Sequence, residues 1–176
     1  MSDYPKISIV VPVYGAEGNI HELSVRIDQA MNDITENYEL IYIEDGSPDN
    51  SWNEILAVST NNKAIKAVKL SRNFGQHNAI SAGMEIANGD YVILMDCDLQ
   101  HDPVYIIDLY NKIKEGNDLV YTRTNIRNHG FFKNITAKLY YKFVKFISDF
   151  DMDPNIGSYS ILSRKVVDAF NQYNDY

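Results

Sequence analysis

Asp96 and Asp98 stand one residue apart directly after Tyr91-Val92-Ile93-Leu94-Met95, a run that reads as a buried strand of a parallel sheet. Alternate residues of an extended segment share a face, so the two carboxylates can converge on one object. Carboxylates at the end of a buried strand are costly unless something neutralises them. A hard divalent cation that also holds a phosphate would do so. The plain alternative is a pair of solvated turn aspartates, with Asp102-Pro103 starting the next helix. Other polar residues occupy equivalent places. Tyr14 and Glu17 follow Ile7 to Val13, Glu44 and Asp45 follow Leu40 to Ile43, and Arg72 follows Ala64 to Leu70.

For these residues to share one edge, each preceding run must be a strand. Ile7 to Val13 is β-branched and ends at Pro12, which cannot donate to a ladder. Ile20, Leu23, Ile27, Met31 and Ile34 recur at helical spacing, predicting an amphipathic helix to about Thr35. A second helix turns Trp52, Ile55 and Leu56 inward and stops near Asn61-Asn62. Ala64 to Leu70 alternates apolar residues with lysine, which suits an edge strand. A helix with Ala79, Ile80, Ala82, Gly83 and Ile86 closes at Asn88-Gly89. Asp102 and Pro103 open another that ends at Gly116, and Leu119-Val120-Tyr121 is a further short strand. Four alternations of strand and helix predict an α/β fold with a doubly wound, mostly parallel sheet. Ligands in such sheets bind beyond the carboxyl ends of the strands, where the strand order reverses.

The chain of 176 residues suits a single domain over 1–176. Val166 to Tyr176 reads as a helix running off the end, so a C-terminally truncated fragment is expected. The lone cysteine, Cys97, excludes an internal disulfide and fits a reducing compartment. The first residues lack the features of a signal peptide, and no apolar run approaches the ~20 residues that span a bilayer. A net charge of −8 argues against nucleic acid as a partner.

That charge is unevenly spread. No Asp or Glu lies between Leu119 and Ser148, yet 6 of the 16 basic residues do, among them Arg123, Arg127, Lys138, Lys142 and Lys145. Phe131, Ile135, Leu139, Phe143 and Ile147 recur every fourth residue, with the three lysines along one flank, over a predicted basic amphipathic helix at 130–148. Such a helix lies in a membrane interface or packs on the sheet or a neighbouring subunit. In the membrane case each lysine contributes on the order of 1 kcal/mol near an anionic surface, fading with salt. Liposome co-sedimentation should then fall for a Lys138→Glu, Lys142→Glu, Lys145→Glu variant. Equal pelleting of both proteins, or of neither at low salt, would make the helix structural.

Several nucleotide chemistries lack their motif. No Gly-x-Gly-x-x-Gly follows the first strand, and the lysine-containing phosphate loop and Gly-x-Ser-x-Gly are missing. A sugar nucleotidyltransferase would need a Gly-x-Gly-x-Arg loop, also missing. Phosphatase-type Asp-x-Asp motifs follow a first strand, whereas Asp96-Cys97-Asp98 follows the fourth.

Val11-Pro12-Val13-Tyr14 with Glu17, Glu44 to Asp49, Ser71-Arg72-Asn73-Phe74-Gly75 and Asp96-Cys97-Asp98-Leu99-Gln100 together resemble the inverting nucleotide-sugar glycosyltransferases of family 2. The resemblance is to the polyprenyl-phosphate branch, which includes dolichyl-phosphate mannose synthases and bactoprenol glucosyltransferases. It implies a nucleotide-diphospho-sugar transferase (GT-A-like) fold and metal-dependent, inverting transfer from a nucleoside-diphosphate sugar to a polyprenyl phosphate. It implies that Pro12, Tyr14, Glu17, Asp45, Arg72 and Asp96 bind the nucleotide. Asp96 and Asp98 would hold Mg²⁺ or Mn²⁺, and Gln100 would sit by the sugar. A full-length member would work at the cytoplasmic face of the membrane in envelope polysaccharide synthesis, with a glycan hydroxyl as the alternative acceptor. A non-catalytic nucleotide-sugar-binding domain is a further alternative.

The sequence departs from the family in places. Cys97 stands for a usual Ala, Glu44 for Asp and Gly15 for Asn. Gly157-Ser158-Tyr159-Ser160-Ile161 resembles Gly-Asp-Phe-Arg-Leu of the bactoprenol branch, with Ser158 in place of its Asp and Ser160 of its Arg. The nearest carboxylates that could act as a catalytic base are then Asp151 and Asp153. A lipid phosphate needs none, because its second pKa of about 6 leaves an anionic oxygen at pH 7. Arg123, Arg127 and the lysine flank are the expected acceptor and membrane contacts.

Overall fold

The computed structural model describes residues 6–123 and 156–172. β1 (Ile7–Val13), α1 (Ile20–Asn32), β2 (Tyr38–Glu44), α2 (Ser51–Asn61), β3 (Ile65–Lys69), α3 (Gln76–Ile86) and β4 (Tyr91–Leu94) alternate along the chain. A 3-10 turn over Pro103–Tyr105 leads into α4 (Ile106–Ile113), followed by β5 (Leu119–Arg123), β6 (Ile156–Ser163) and α5 (Arg164–Asn171). The expected basic helix at 130–148, with Lys138, Lys142 and Lys145, lies outside the described residues, as do Arg127, Asp151 and Asp153.

The six strands form one sheet in the order β3-β2-β1-β4-β6-β5. β1 pairs parallel with β2 and β4, and β2 with β3, so the lysine-alternating strand takes the edge its pattern implies. β6 is antiparallel to both β4 and β5, a reversed strand that the sequence pattern does not predict. The chain lays β1, β2 and β3 outward in one direction, then returns to place β4 beside β1 on the other side. The strand order therefore reverses between β1 and β4, which is where an open α/β sheet builds its ligand crevice.

Every residue of β1 is buried because the sheet is covered on both faces. Ile7, Ile9, Val11 and Val13 pack with Ile20, Leu23, Ile27 and Met31 of α1, with Ile55 of α2 and with Ile106 and Ile113 of α4. Val10 points the other way, with Ile41, Ile43 and Val92, onto Ala79 and Met84 of α3 and Val167 of α5. Each such aliphatic side chain contributes roughly 1.5–3 kcal/mol by leaving water, which is what fixes the register of the strand ends. α1 stops at Asn32 rather than Thr35. Leu56 does not face inward but is 41% exposed, since Ile55 and Val58 already fill the inner side of α2.

At the opposite end of the sheet from the strand-end loops, Glu39 is 3% exposed. Its Oε1 accepts from Ser8 Oγ at 2.6 Å and from the Asn88 N–H at 2.8 Å, and Lys66 pairs with Oε2. Burial opposes ionisation of Glu39, but Lys66, Ser8 and Asn88 outweigh it and hold the carboxyl below its ordinary 4.5. A carboxylate lowered on folding stabilises fully above its unfolded value, and the contribution fades as pH falls through the lower folded value. Glu39→Ala should cost about 1–3 kcal/mol at pH 7 by stranding those donors. Chemical denaturation across pH should show the gap between wild type and variant narrowing only below about 4.5. A gap that stays constant down to strongly acid pH would contradict this.

Candidate functional site

The loop after β1 spends its backbone donors on its own neighbours. The N–H of Gly15 donates to Ser47 Oγ at 3.2 Å, that of Ala16 to Ser51 Oγ at 3.0 Å and that of Glu17 to Asp49 Oδ2 at 3.0 Å. The Gly18 N–H reaches both oxygens of Glu54 at 3.0 Å. In a dinucleotide fold the amides of this loop receive a pyrophosphate. Here four consecutive ones are occupied by side chains of the protein itself. Burial works against the charge of Asp49, but the Ser51 hydroxyl and the Glu17 amide hold its carboxyl below the usual range. Gly15 has φ +66, a left-handed conformation that glycine and asparagine adopt most readily. Tyr14, just before it, turns outward and is 54% exposed.

The end of β2 pins the loop after β3. Asp45 is 2% exposed, and its Oδ1 and Oδ2 accept from the backbone N–H groups of Phe74 (2.7 Å) and Gly75 (2.9 Å). Arg72 lies over the Phe74 ring, 4.9 Å from its centroid. Glu44 is fully buried, accepts from the Ser47 N–H and faces Lys69 Nζ at 3.8 Å.

Beyond β4 the chain turns sharply. Leu99 has φ +61, a left-handed conformation costing a non-glycine residue roughly 1–2 kcal/mol, held by packing of its side chain on the core. Around that turn, Asp98 Oδ1 accepts from the Gln100 N–H at 3.0 Å. Asp96 accepts from Gln76 Nε2 through Oδ1 and from Ser158 Oγ through Oδ2, both at 2.6 Å. His101 Nδ1 lies 3.8 Å from the same Oδ2. Burial pushes the Cys97 thiol up, keeping it protonated and inert between the two carboxylates.

These loops enclose a cavity of about 380 Å³ lined by Pro12, Tyr14, Asp45, Asn73, Gln76, Asp96 and Asp98, among others. Five of the residues singled out in the sequence thus meet at the switch point. Glu17, Arg72 and Gln100 do not line it. Glu17 Oε2 accepts from the Asn50 N–H at 3.3 Å, tying the first loop to α2, and Arg72 stacks on Phe74. Gln100 instead borders a second cavity of about 690 Å³ with His101, Tyr105, Thr122, Arg123 and Tyr159. The sequence reading missed Asn73, Gln76 and Ser158 as parts of the site. Gln76 carried a signal, as the first residue of α3 immediately after the Ser71–Gly75 loop.

Among the described residues, no cluster of three or more His, Cys, Asp or Glu could hold a metal ion. Asp96 and Asp98 nevertheless present hard oxygen donors on one wall of the cavity. Mg²⁺ is commonly bound by one or two carboxylates together with substrate phosphates, so the donor set fits a cation that arrives with a diphosphate. It does not fit a cation caged by protein alone.

The sequence family described as Glycosyl transferase family 2 matches residues 8–170. Glycosyltransferase YkcC of Bacillus subtilis (strain 168), itself uncharacterized, is 38% identical over 176 residues, covering 99% of this chain and 54% of that protein. The undecaprenyl-phosphate 4-deoxy-4-formamido-L-arabinose transferase of Shewanella sediminis (strain HAW-EB3) is 41% identical over 140 residues, covering 79% and 42% of the two chains. The chain thus spans about half the length of the curated relatives it matches. Among solved structures, the mannosyltransferase PcManGT from Pyrobaculum calidifontis, in complex with GDP-Man and Mn²⁺, superposes with a TM-score of 0.68 at 13% identity. The match covers 96% of this chain and 47% of that one, and shows a shared GT-A-like fold.

Proposed function

The chain belongs to glycosyl transferase family 2, and from that premise we propose that it moves a sugar from a nucleoside-diphosphate sugar to a polyprenyl phosphate. The observation that carries this reading is the convergence of Pro12, Tyr14, Asp45, Asp96 and Asp98 on one cavity at the β1–β4 switch point. The exposed Tyr14 ring offers a stacking face for the nucleobase. Asp45 holds the opposite wall by fixing the Phe74 and Gly75 amides, so the base slot is built before a ligand arrives. Asp96 and Asp98 would hold Mg²⁺ or Mn²⁺ together with the diphosphate. When bound, that ion would neutralise charge developing on the departing nucleoside diphosphate. Asp98 contributes negative charge at a fixed place, because its turn is held by the Gln100 amide and the Leu99 conformation.

The acceptor assignment is supported by relatives whose names specify undecaprenyl phosphate. Ser158 agrees with it: a hydroxyl acceptor needs a positioned carboxylate to take its proton, and an anionic phosphate oxygen does not. Among the described residues no helix is long and apolar enough to cross a membrane. We assign contact with the lipid to Arg123, Arg127, Lys138, Lys142 and Lys145, at the cytoplasmic face of a membrane.

The test is transfer of radiolabelled sugar from uridine- and guanosine-diphosphate sugars, with Mn²⁺, into undecaprenyl phosphate in detergent micelles. Label should enter the organic phase. Asp153→Asn should retain much of the turnover, and Arg127→Ala should raise the acceptor's KM. Loss of several hundredfold in kcat for Asp153→Asn, with acceptor affinity unchanged, would identify a base and a hydroxyl acceptor instead.

A further inference from the structure

We infer that Ser158 and Gln76 are the residues that position Asp96, Ser158 doing so from the place where the bactoprenol branch carries Asp. The inference rests on the donor-site reading above. Leu94 pairs with Ser160 in the antiparallel β4–β6 ladder, and continuing that register two residues onward sets Asp96 across from Ser158. The ladder ends at the Leu94–Ser160 pair, and its register brings the two residues that follow it into line. Ser158 Oγ then donates to Oδ2 at 2.6 Å, while Gln76 Nε2, from the start of α3, donates to Oδ1 at the same distance. Two elements on either side of β4 thus grip one carboxylate by both oxygens.

The chemistry of the donors matters as much as their distance. Both are neutral, and each oxygen retains a lone pair for a ligand. Hydrogen bonds of 2.6 Å to an ionised acceptor are at the strong, short end of the range. A carboxylate at position 158 would instead set two like charges at this separation, driving one of them to bind a proton or a cation. Ser158 Oγ uses its one donor on Asp96 and keeps its acceptor lone pairs. His101 Nδ1 lies 3.8 Å from Oδ2, beyond hydrogen-bond distance, and the ring packs on Tyr159, with ring centroids 5.2 Å apart. Groups that orient a metal-binding carboxylate in this way typically matter about 10–100-fold in metal affinity.

The experiment is calorimetric titration of the full chain with uridine or guanosine diphosphate at increasing Mn²⁺. Ser158→Ala and Gln76→Ala should each raise the Mn²⁺ concentration for half-maximal binding by about 10–100-fold. Ser158→Thr, which keeps the hydroxyl, should titrate close to wild type. Wild-type Mn²⁺ dependence in both alanine variants would overturn the inference. If the wild type binds neither diphosphate with Mn²⁺, the donor-site reading has failed, and the ligand-free protein decides the positioning claim. There the melting-temperature losses of Asp96→Ala and Ser158→Ala should be less than additive in the double variant, because one removes the partner of the other. Additive losses overturn the inference in either case.

Discussion

Asp98→Ala should lower sugar transfer by about 10²–10³-fold, the equivalent of roughly 3–4 kcal/mol of lost transition-state stabilisation. The side chain stands at the cavity wall, and among the described residues its hydrogen bond is to the Gln100 amide of its own turn. Asp98→Asn keeps an oxygen for that amide and so preserves the turn, yet it removes the charge. It should be nearly as damaging to turnover while leaving the melting temperature within a degree or two of wild type. Steady-state transfer assays paired with thermal denaturation separate the two effects. An asparagine variant retaining most of the wild-type rate would show that Asp98 serves the turn alone.

Gly46→Ala carries the largest expected structural penalty near the site. Gly46 has φ +70, and a Cβ there would lie 2.6 Å from the Asn73 nitrogen and 2.7 Å from the Arg72 carbonyl carbon. Both are backbone atoms, so no side-chain rotation relieves the clash, and the β3–α3 loop must move away from β2. That movement would pull Phe74 and Gly75 off the Asp45 carboxylate, opening the proposed base slot. A cost of about 3 kcal/mol or more is expected, lowering the melting temperature by roughly 6–12 °C. Nucleoside-diphosphate affinity should fall at least about tenfold, the equivalent of ~1.4 kcal/mol. Gly15→Ala is the control, because φ is +66 there and nothing lies within 4 Å of the added carbon. It should lose only the roughly 1–2 kcal/mol of the left-handed conformation. Equal losses in the two variants would mean that the loop contact at Gly46 is easily relieved.

The parts of the fold legible in the sequence are those set by local periodicity. The β-branched run of β1, the 3.6-residue stripe of Ile20, Leu23, Ile27 and Met31, and the lysine alternation of β3 each state their burial pattern outright. The adjacency of Asp96 and Asp98 to a buried strand was equally plain. What remained hidden depends on pairing between distant segments. β6 carries no clear strand pattern, because Gly157, Ser158, Ser160 and Ser163 dilute its apolar residues. Only its partners β4 and β5 make it a strand. Ser158 therefore gave no sign of facing Asp96, and it stood out only as a departure from a related motif. Glu17 follows a strand end, and its carboxylate accepts from the Asn50 amide, 33 residues away, an interaction that no local pattern encodes. The left-handed Leu99 is similar, since packing of its side chain on the core and the Asp98–Gln100 hydrogen bond around it sustain the conformation.

The central claim is that Asp96 and Asp98 bind a nucleoside diphosphate through a shared divalent cation, and calorimetry on the wild-type chain tests it most directly. Uridine and guanosine diphosphate are titrated in Mn²⁺ and again in excess chelator. One of the two should bind in Mn²⁺ at least about tenfold more tightly than in chelator, a difference of ~1.4 kcal/mol or more. The same affinity with and without Mn²⁺, or binding of neither diphosphate under any condition, would contradict the claim.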